Sequence, residues 1–343
     1  MSINLFSRKS LISLIIAMSI LGIIVSACFI FRTYQDGYRF YGEKSIDFDV
    51  TGQFGAFFGG VVGTLFALVG TLLIALTFME QSKQNKREAF ESKFYEMLRL
   101  HRQNVEEIQV GEKKGREASE ILIERLKVFY DEVNNAIEYI INTDANTIEI
   151  SEDVKKYLED DFKKSLIIHK LSYGYFFYGI NNYYITRNKE DVIYKINLSV
   201  TLYFIKKLLS VPDGAKFAQT HYNTILGHYF RHLYQLIKLI ADQEKDILNE
   251  EKKYEFIRIV RAQLSDYEQI LLYYDSLSNM GEKWIMPLEQ KERKKMCFIA
   301  RFKLIKNIPY YFNYFGIKPS ELFKTEIQAW KELNEDFFEM NID

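Results

Sequence analysis

LISLIIAMSILGIIVSACFIF (residues 11–31) and QFGAFFGGVVGTLFALVGTLLIALTFM (residues 53–79) decide how this chain of 343 residues is read. Neither run holds an Asp, Glu, Lys or Arg. As a helix rising about 1.5 Å per residue, the first covers roughly the 30 Å of a bilayer's hydrocarbon core. The second is longer than a bilayer needs, so tilt or partial emergence is expected. A Lys or Asp at a helix centre costs about 2.5–3.5 kcal/mol on insertion, which gives the absence of charge its meaning. One such run also suits a buried core helix; two in tandem do not. Arg8 and Lys9 stand where a signal peptide's n-region would, and Val25-Ser26-Ala27-Cys28 looks like a lipobox. The run continues through Phe29, Ile30 and Phe31, however, past the usual length of an h-region, so it is read as a retained span.

Orientation follows the Lys and Arg bias near the membrane ends. Arg8 and Lys9 precede the first span, and Lys83, Lys86, Arg87 and Lys93 follow the second. The connecting segment is mixed, with Arg32, Arg39 and Lys44 against Asp36, Glu43, Asp47 and Asp49. The expected organisation is a cytoplasmic N-terminus (1–10), a span (11–31), an external loop (32–52), a span (53–79) and a cytoplasmic domain (80–343). Lys83, Lys86 and Arg87 read first as a topology signal on a solvated helix face, with contact to anionic lipid headgroups as the alternative. Within the second span Gly55, Gly59, Gly63, Ala67, Thr71 and Ala75 recur every four residues, beside a parallel row of Gly52, Ala56, Gly60 and Thr64. Small residues in register let another backbone approach closely. The stripe is expected to pack on the first span or on a second copy of the chain, making a homo-oligomer.

The remaining sequence reads as all-α. Its 27 Phe and 24 Tyr with only four Pro suit long packed helices. Phe90, Phe94, Met97, His101, Val105 and Ile108 make one helical stripe, and Leu122, Leu126, Phe129, Val133, Ile137 and Ile140 another, separated by a turn at 111–115. These two are expected to pair as an antiparallel hairpin. After a loop at 142–147 and a cap at Ser151, further helices are expected over 190–210, 215–242, 250–278, 289–307 and 319–339, with 171–187 ambiguous. Ile257, Val260, Leu264, Tyr267, Leu271 and Tyr274 form a narrow seam of coiled-coil type.

Chemistry is sparse. A net charge of −1 predicts no nucleic-acid partner, and Cys28 and Cys297 are too few for a disulfide framework or a cysteine-rich metal site. There is no HExxH, phosphate loop or GxSxG elbow. No His has an Arg five to seven residues before it, so the signature of the helical HEPN ribonucleases is missing. The densest polar cluster is HYNTILGHYFRHLY (residues 221–234), with His228 and His232 one helical turn apart and Arg231 between them. Two histidines are too few to hold a metal; Arg231 has the fork to meet a carboxylate. These three are the candidate functional cluster, with no catalytic, cofactor or metal residue assigned.

Three segments carry a resemblance. They are FGAFFGGVVGTLFALVGTLLIALTFMEQ (54–81) running into FESKFYEMLRLHRQNVEEI (90–108), GHYFRHLYQLIKLI (227–240), and RAQLSDYEQILLYYDSLSNMG (261–281). In these the chain resembles the AbiC-like phage abortive infection proteins of bacteria. The resemblance implies defence against bacteriophage, with infected cells sacrificed or phage production blocked. It brings no active-site residue with it. The two spans and their charge bias give the inner (plasma) membrane as the expected location, and the trigger expected is an unidentified phage or host component. The reading is a membrane-anchored binding or sensing protein; the alternatives are a membrane-tethered nuclease-type enzyme and a scaffold without defence activity.

Overall fold

The structure, a computed structural model, describes residues 8–35, 37, 48–142, 152–183, 186, 188–209, 221–286 and 297–339. The first residues of the helices expected over 215–242 and 289–307, the loop after residue 142, the cap at Ser151 and most of the connecting loop lie outside those residues. The described chain is all-α apart from one short hairpin, and it divides into two compact units, 1–91 and 92–343.

In the first unit, α1 (Arg8–Gln35) lies antiparallel to the elements that follow it. Arg8 Nε meets Glu80 Oε1 at 2.7 Å, Gly22 faces the Phe66 ring, and Phe29 stacks on Phe57 with centroids 3.9 Å apart. The second apolar run is not one straight α-helix. It comprises α2 (Phe48–Phe57), a π turn (Phe58–Val62) and the start of α3 (Gly63–Glu106), with the Gly63 N–H donating to the Phe58 carbonyl five residues back. Gly59 and Gly60 fall inside the turn, where the lack of a side chain offers least resistance to a wider helix. The extra residue breaks the four-residue register expected of the small-residue stripe. Even so, Gly55, Gly59, Gly63 and Ala67 are all exposed, and a Cβ at Gly55 or Gly59 would meet nothing within 4 Å.

The second unit is built on α4 (Arg116–Asn142), reached from α3 through the hairpin β1 (Gln109–Val110) and β2 (Lys113–Lys114). Gly111 and Gly115, at φ +63° and +59°, supply the left-handed residues of the expected turn. Ala118, Ser119, Ile123 and Ala136 widen the buried face of α4 beyond the single stripe read from sequence. That face packs mainly on α6 (Asp161–Tyr178), α10 (Asp266–Ser276) and α7 (Val192–Leu209). The α3 stripe turns elsewhere: Phe94 meets Phe256 of α9 (Glu250–Arg261), and His101 meets Tyr229 and His232 of α8 (Asn223–Ala241). The expected α3–α4 pairing is thus not the main packing of either helix. A narrow stripe fixes which face is buried, not its partner. α5 (Glu152–Leu158) closes one end against α6 and α7. The first part of the ambiguous stretch 171–187 is helix, since α6 starts at an Asp160 cap and runs to Tyr178.

Three expected helices are shorter than read. The span 250–278 breaks after α9, because Ser265 caps α10 in a reciprocal box with Glu268, so the coiled-coil seam does not run through as one helix. Within 297–307 helix persists only over α11 (Phe298–Phe302), which ends at Lys303 in the left-handed conformation, φ 49°. Lys303 is buried over the Trp330 ring at 3.9 Å, with Nζ 2.6 Å from Glu335. The last expected helix is split into α12 (Pro319–Leu322) and α13 (Lys324–Lys331), and the chain then turns at Asn334, φ 57°.

Residues 315–317 thread between α6 and α10 with almost no regular structure. The Ile317 N–H donates to His169 Nε2 at 3.1 Å, the Phe315 N–H donates to the Tyr274 hydroxyl at 3.0 Å, and the Tyr273 hydroxyl donates to the Ile317 carbonyl at 2.5 Å. Burial pulls the His169 pKa down to about 3, consistent with a neutral ring accepting that bond. Gly316 sits at φ +71°, and a Cβ there would lie 2.2 Å from His169 Nε2. Gly316→Ala should therefore cost about 2 kcal/mol or more in thermal unfolding, through strain and overpacking together. An unchanged melting temperature would show that this loop is not the clamp described.

Candidate functional site

Helix α8 carries the cluster that the sequence singled out, and the structure disperses it. His228 is exposed. His232 turns toward α3, its ring nearly parallel to that of His101 with centroids 6.1 Å apart. His101 is fully buried, and neither of its nitrogens has a hydrogen-bond partner among the described residues. Burial, with the nearby His232 second, pulls its pKa down to about 4, so it is neutral packing material at physiological pH. Among the described residues no three His, Cys, Asp or Glu side chains gather as metal ligands.

Arg231 points the other way, into a cleft of about 510 Å³. Its Nε donates to the Gly227 carbonyl at 2.8 Å, which lays the guanidinium back along the helix. Gly227 makes room: a Cβ there would stand 3.5 Å from both Arg231 Nη2 and the Phe177 ring. Phe230, Tyr234, Asn223 and Gln235 extend this wall, and Phe177 and Tyr178 at the end of α6 add a second. The third wall is the end of α10 with the chain after it, which bring Asp275 and then Met280, Lys283 and Trp284.

That third wall is held by Asp275. Trp284 Nε1 donates to its Oδ2 at 3.2 Å, and the Ser278 hydroxyl donates to its carbonyl at 2.7 Å. The Met280 and Gly281 N–H groups donate to the Ser278 hydroxyl, each at 3.2 Å. Gly281 lies so close that a Cβ would stand 2.1 Å from the Asp275 carbonyl oxygen and 2.6 Å from Oδ2. Only glycine lets this loop close on the end of α10. Burial pushes the Asp275 carboxyl up to about 7, opposed by Tyr173 and Trp284. Tyr173 is near enough to act electrostatically, but its hydroxyl makes no hydrogen bond of good geometry among the described residues.

Of the residues singled out beforehand, the cleft uses only Arg231. Asp275, Trp284, Lys283 and Asn223 were not assigned any role. The string DSLSNMG stood in the sequence, but nothing local marks its Asp as buried. Residues 221–312 match the family described as Putative phage abortive infection protein. The matched segment takes in every cleft residue except Phe177 and Tyr178. No curated protein and no solved structure matches the chain.

A carboxyl whose folded pKa is raised from an ordinary 3.8 to about 7 gives stability that is complete below about pH 4 and lost as pH rises through 7. Asp275→Asn keeps an acceptor for Trp284 and removes the titration. The variant should melt above the parent at pH 8, by up to about 4 kcal/mol at about 1.4 kcal/mol per pKa unit, and the gain should shrink steadily toward pH 4. A gain that does not vary with pH would contradict a titrating Asp275.

Proposed function

We propose that this protein is anchored in the bacterial inner membrane by two spans and defends against bacteriophage. In this reading its helical second unit detects infection and passes a change in packing to the membrane. The match of residues 221–312 supports the defence half. Exposure supports the membrane half. The two apolar helices are long enough to cross a bilayer, and only 11% of each apolar window is buried, the reverse of a soluble core helix. Ile23, Phe31, Ile74 and Phe78 are about 60% exposed, more apolar surface than water tolerates. The hydroxyls of Ser19, Ser26, Thr33, Thr64, Thr71 and Thr77 all donate to carbonyls of their own helix, as lipid demands. The charge bias sets the N-terminus and second unit inside and residues 32–52 outside, with Lys83, Lys86 and Arg87 toward lipid headgroups.

Helix α3 is continuous from Gly63 to Glu106, and the sequence from 71 to 110 holds neither Gly nor Pro. Such a rod transmits displacement, whereas a flexible tether only anchors. Expression in a susceptible bacterium should lower phage plating, and inserting Gly-Gly-Ser-Gly after Gln81 should abolish that protection while the protein stays folded and membrane-bound. Each glycine costs about 1 kcal/mol of helix propensity and the rod gains a hinge. Full protection by the insertion variant would reduce the spans to an anchor, and full protection by a fragment starting at Lys83 would remove the membrane from the mechanism.

The exposed small-residue face of the second span fits a homo-oligomer. Gly59→Leu and Gly63→Leu should leave insertion intact and reduce cross-linking between copies, at about 1 kcal/mol or less per lost close contact. Cross-linking at the parent level in both variants would leave the stripe without that role.

A further inference from the structure

The cleft beside Arg231 combines three kinds of group in one space of about 510 Å³, within the range of small-molecule sites. Phe230, Tyr234 and Trp284 give it aromatic walls, with the Tyr234 and Trp284 rings edge to face at 5.1 Å. Arg231 and Lys283 bring two exposed cations, neither ion-paired among the described residues. Asn223 Oδ1 is buried on the lining with no hydrogen-bond partner among the described residues, and the Asp275 carboxyl is buried beside the Trp284 indole. Each component restricts the ligand. Two cations call for an anion of more than one charge, and Arg231, with Nε already fixed on Gly227, keeps its terminal nitrogens for a forked contact. Aromatic walls call for a flat ring system. A buried amide oxygen without a donor calls for an N–H on that ring's edge.

We propose that this cleft binds a nucleoside phosphate, its heterocycle among the aromatic walls with its polar edge toward Asn223 and Asp275, and its phosphates on Arg231 and Lys283. Burial keeps the Asp275 carboxyl near half-protonation at neutral pH, so it can donate to or accept from the ring. Inorganic phosphate would use the cations and leave the aromatic walls and Asn223 unoccupied. As the trigger for defence, this ligand rests on the reading above. Binding is measured without phage, however, so either idea can fail while the other stands.

The test uses the full chain in detergent micelles and equilibrium dialysis against each of the four common ribonucleoside triphosphates and monophosphates, the parent nucleosides and pyrophosphate. At least one nucleotide should bind saturably, more tightly than its nucleoside and than pyrophosphate. Arg231→Ala and Lys283→Ala change exposed side chains and should keep the helical circular dichroism and melting temperature. Each should weaken nucleotide binding roughly tenfold, the worth of a charge-assisted contact. The proposal is overturned if no nucleotide binds, if pyrophosphate binds as tightly as the best nucleotide, or if the folded double variant binds like the parent.

Discussion

Helix α10 is buried on every side from Glu268 to Ser276, and that constraint organises the second unit. A buried polar group without a partner costs about 1–3 kcal/mol, so the polar side chains of α10 need partners inside the protein. Glu268 receives the Ser265 N–H and lies 3.3 Å from the Tyr229 hydroxyl of α8. Gln269 accepts from the Asn307 N–H, and Tyr273 and Tyr274 bond to the backbone of Ile317 and Phe315. The segments around 307 and 315–317, with little ladder of their own, are therefore ordered largely by the side chains of α10, with His169 of α6 adding the bond to the Ile317 N–H. Tyr274 completes this by stacking on Phe315, rings 8° from parallel and 4.1 Å apart.

The cleft is the far end of the same arrangement. Asp275 is the last polar residue of α10 but one, and its partners are the Trp284 indole and the tight loop through Ser278 and Gly281. A carboxyl raised to about 7 by burial lowers stability at neutral pH, where an amide or an apolar side chain would not. Asp275 thus works against stability in the loop that it shapes. The buried Glu268 differs, with its Oε2 bonded at 2.8 Å to a backbone N–H that a capped helix would otherwise leave open.

What the sequence disclosed divides along this line. Features set by local composition were legible: the two charge-free runs, the α4 stripe, and the left-handed glycines at 111 and 115. The Ser265–Glu268 box was also there to be read, as Ser-x-x-Glu before an apolar run, but the periodicity of its flanks concealed it. The stop at Lys303 was not legible, because a Lys takes the left-handed conformation only where contacts hold it, as Glu335 and Trp330 do here, whereas Asn334 is a residue type that adopts it readily and was there to be read. Nor was the pairing of Ile317 with His169, 148 residues apart. Arg231 entered the candidate cluster for its neighbours in sequence, yet the walls facing it lie on α6, at the end of α10 and in the chain that follows.

One element changes its character along its length. In α3, Leu73, Ile74 and Phe78 are exposed, whereas Phe94 and Leu98 are buried. The stretch between is polar and exposed, and it supports itself: Gln84 donates to Glu88 and Arg87 to Glu91, both at 2.9 Å and both four residues on. Such pairs add about 0.2–0.5 kcal/mol each, and an isolated helix below about 12–15 residues is marginal in water. Neither term alone would hold the roughly three turns of polar helix over residues 80–89. Cooperativity does, because propagation from an already formed helix on either side avoids the cost of nucleation. The stretch around Gln84 is therefore helical because both of its flanks are, and melting either flank would leave it without its nucleus.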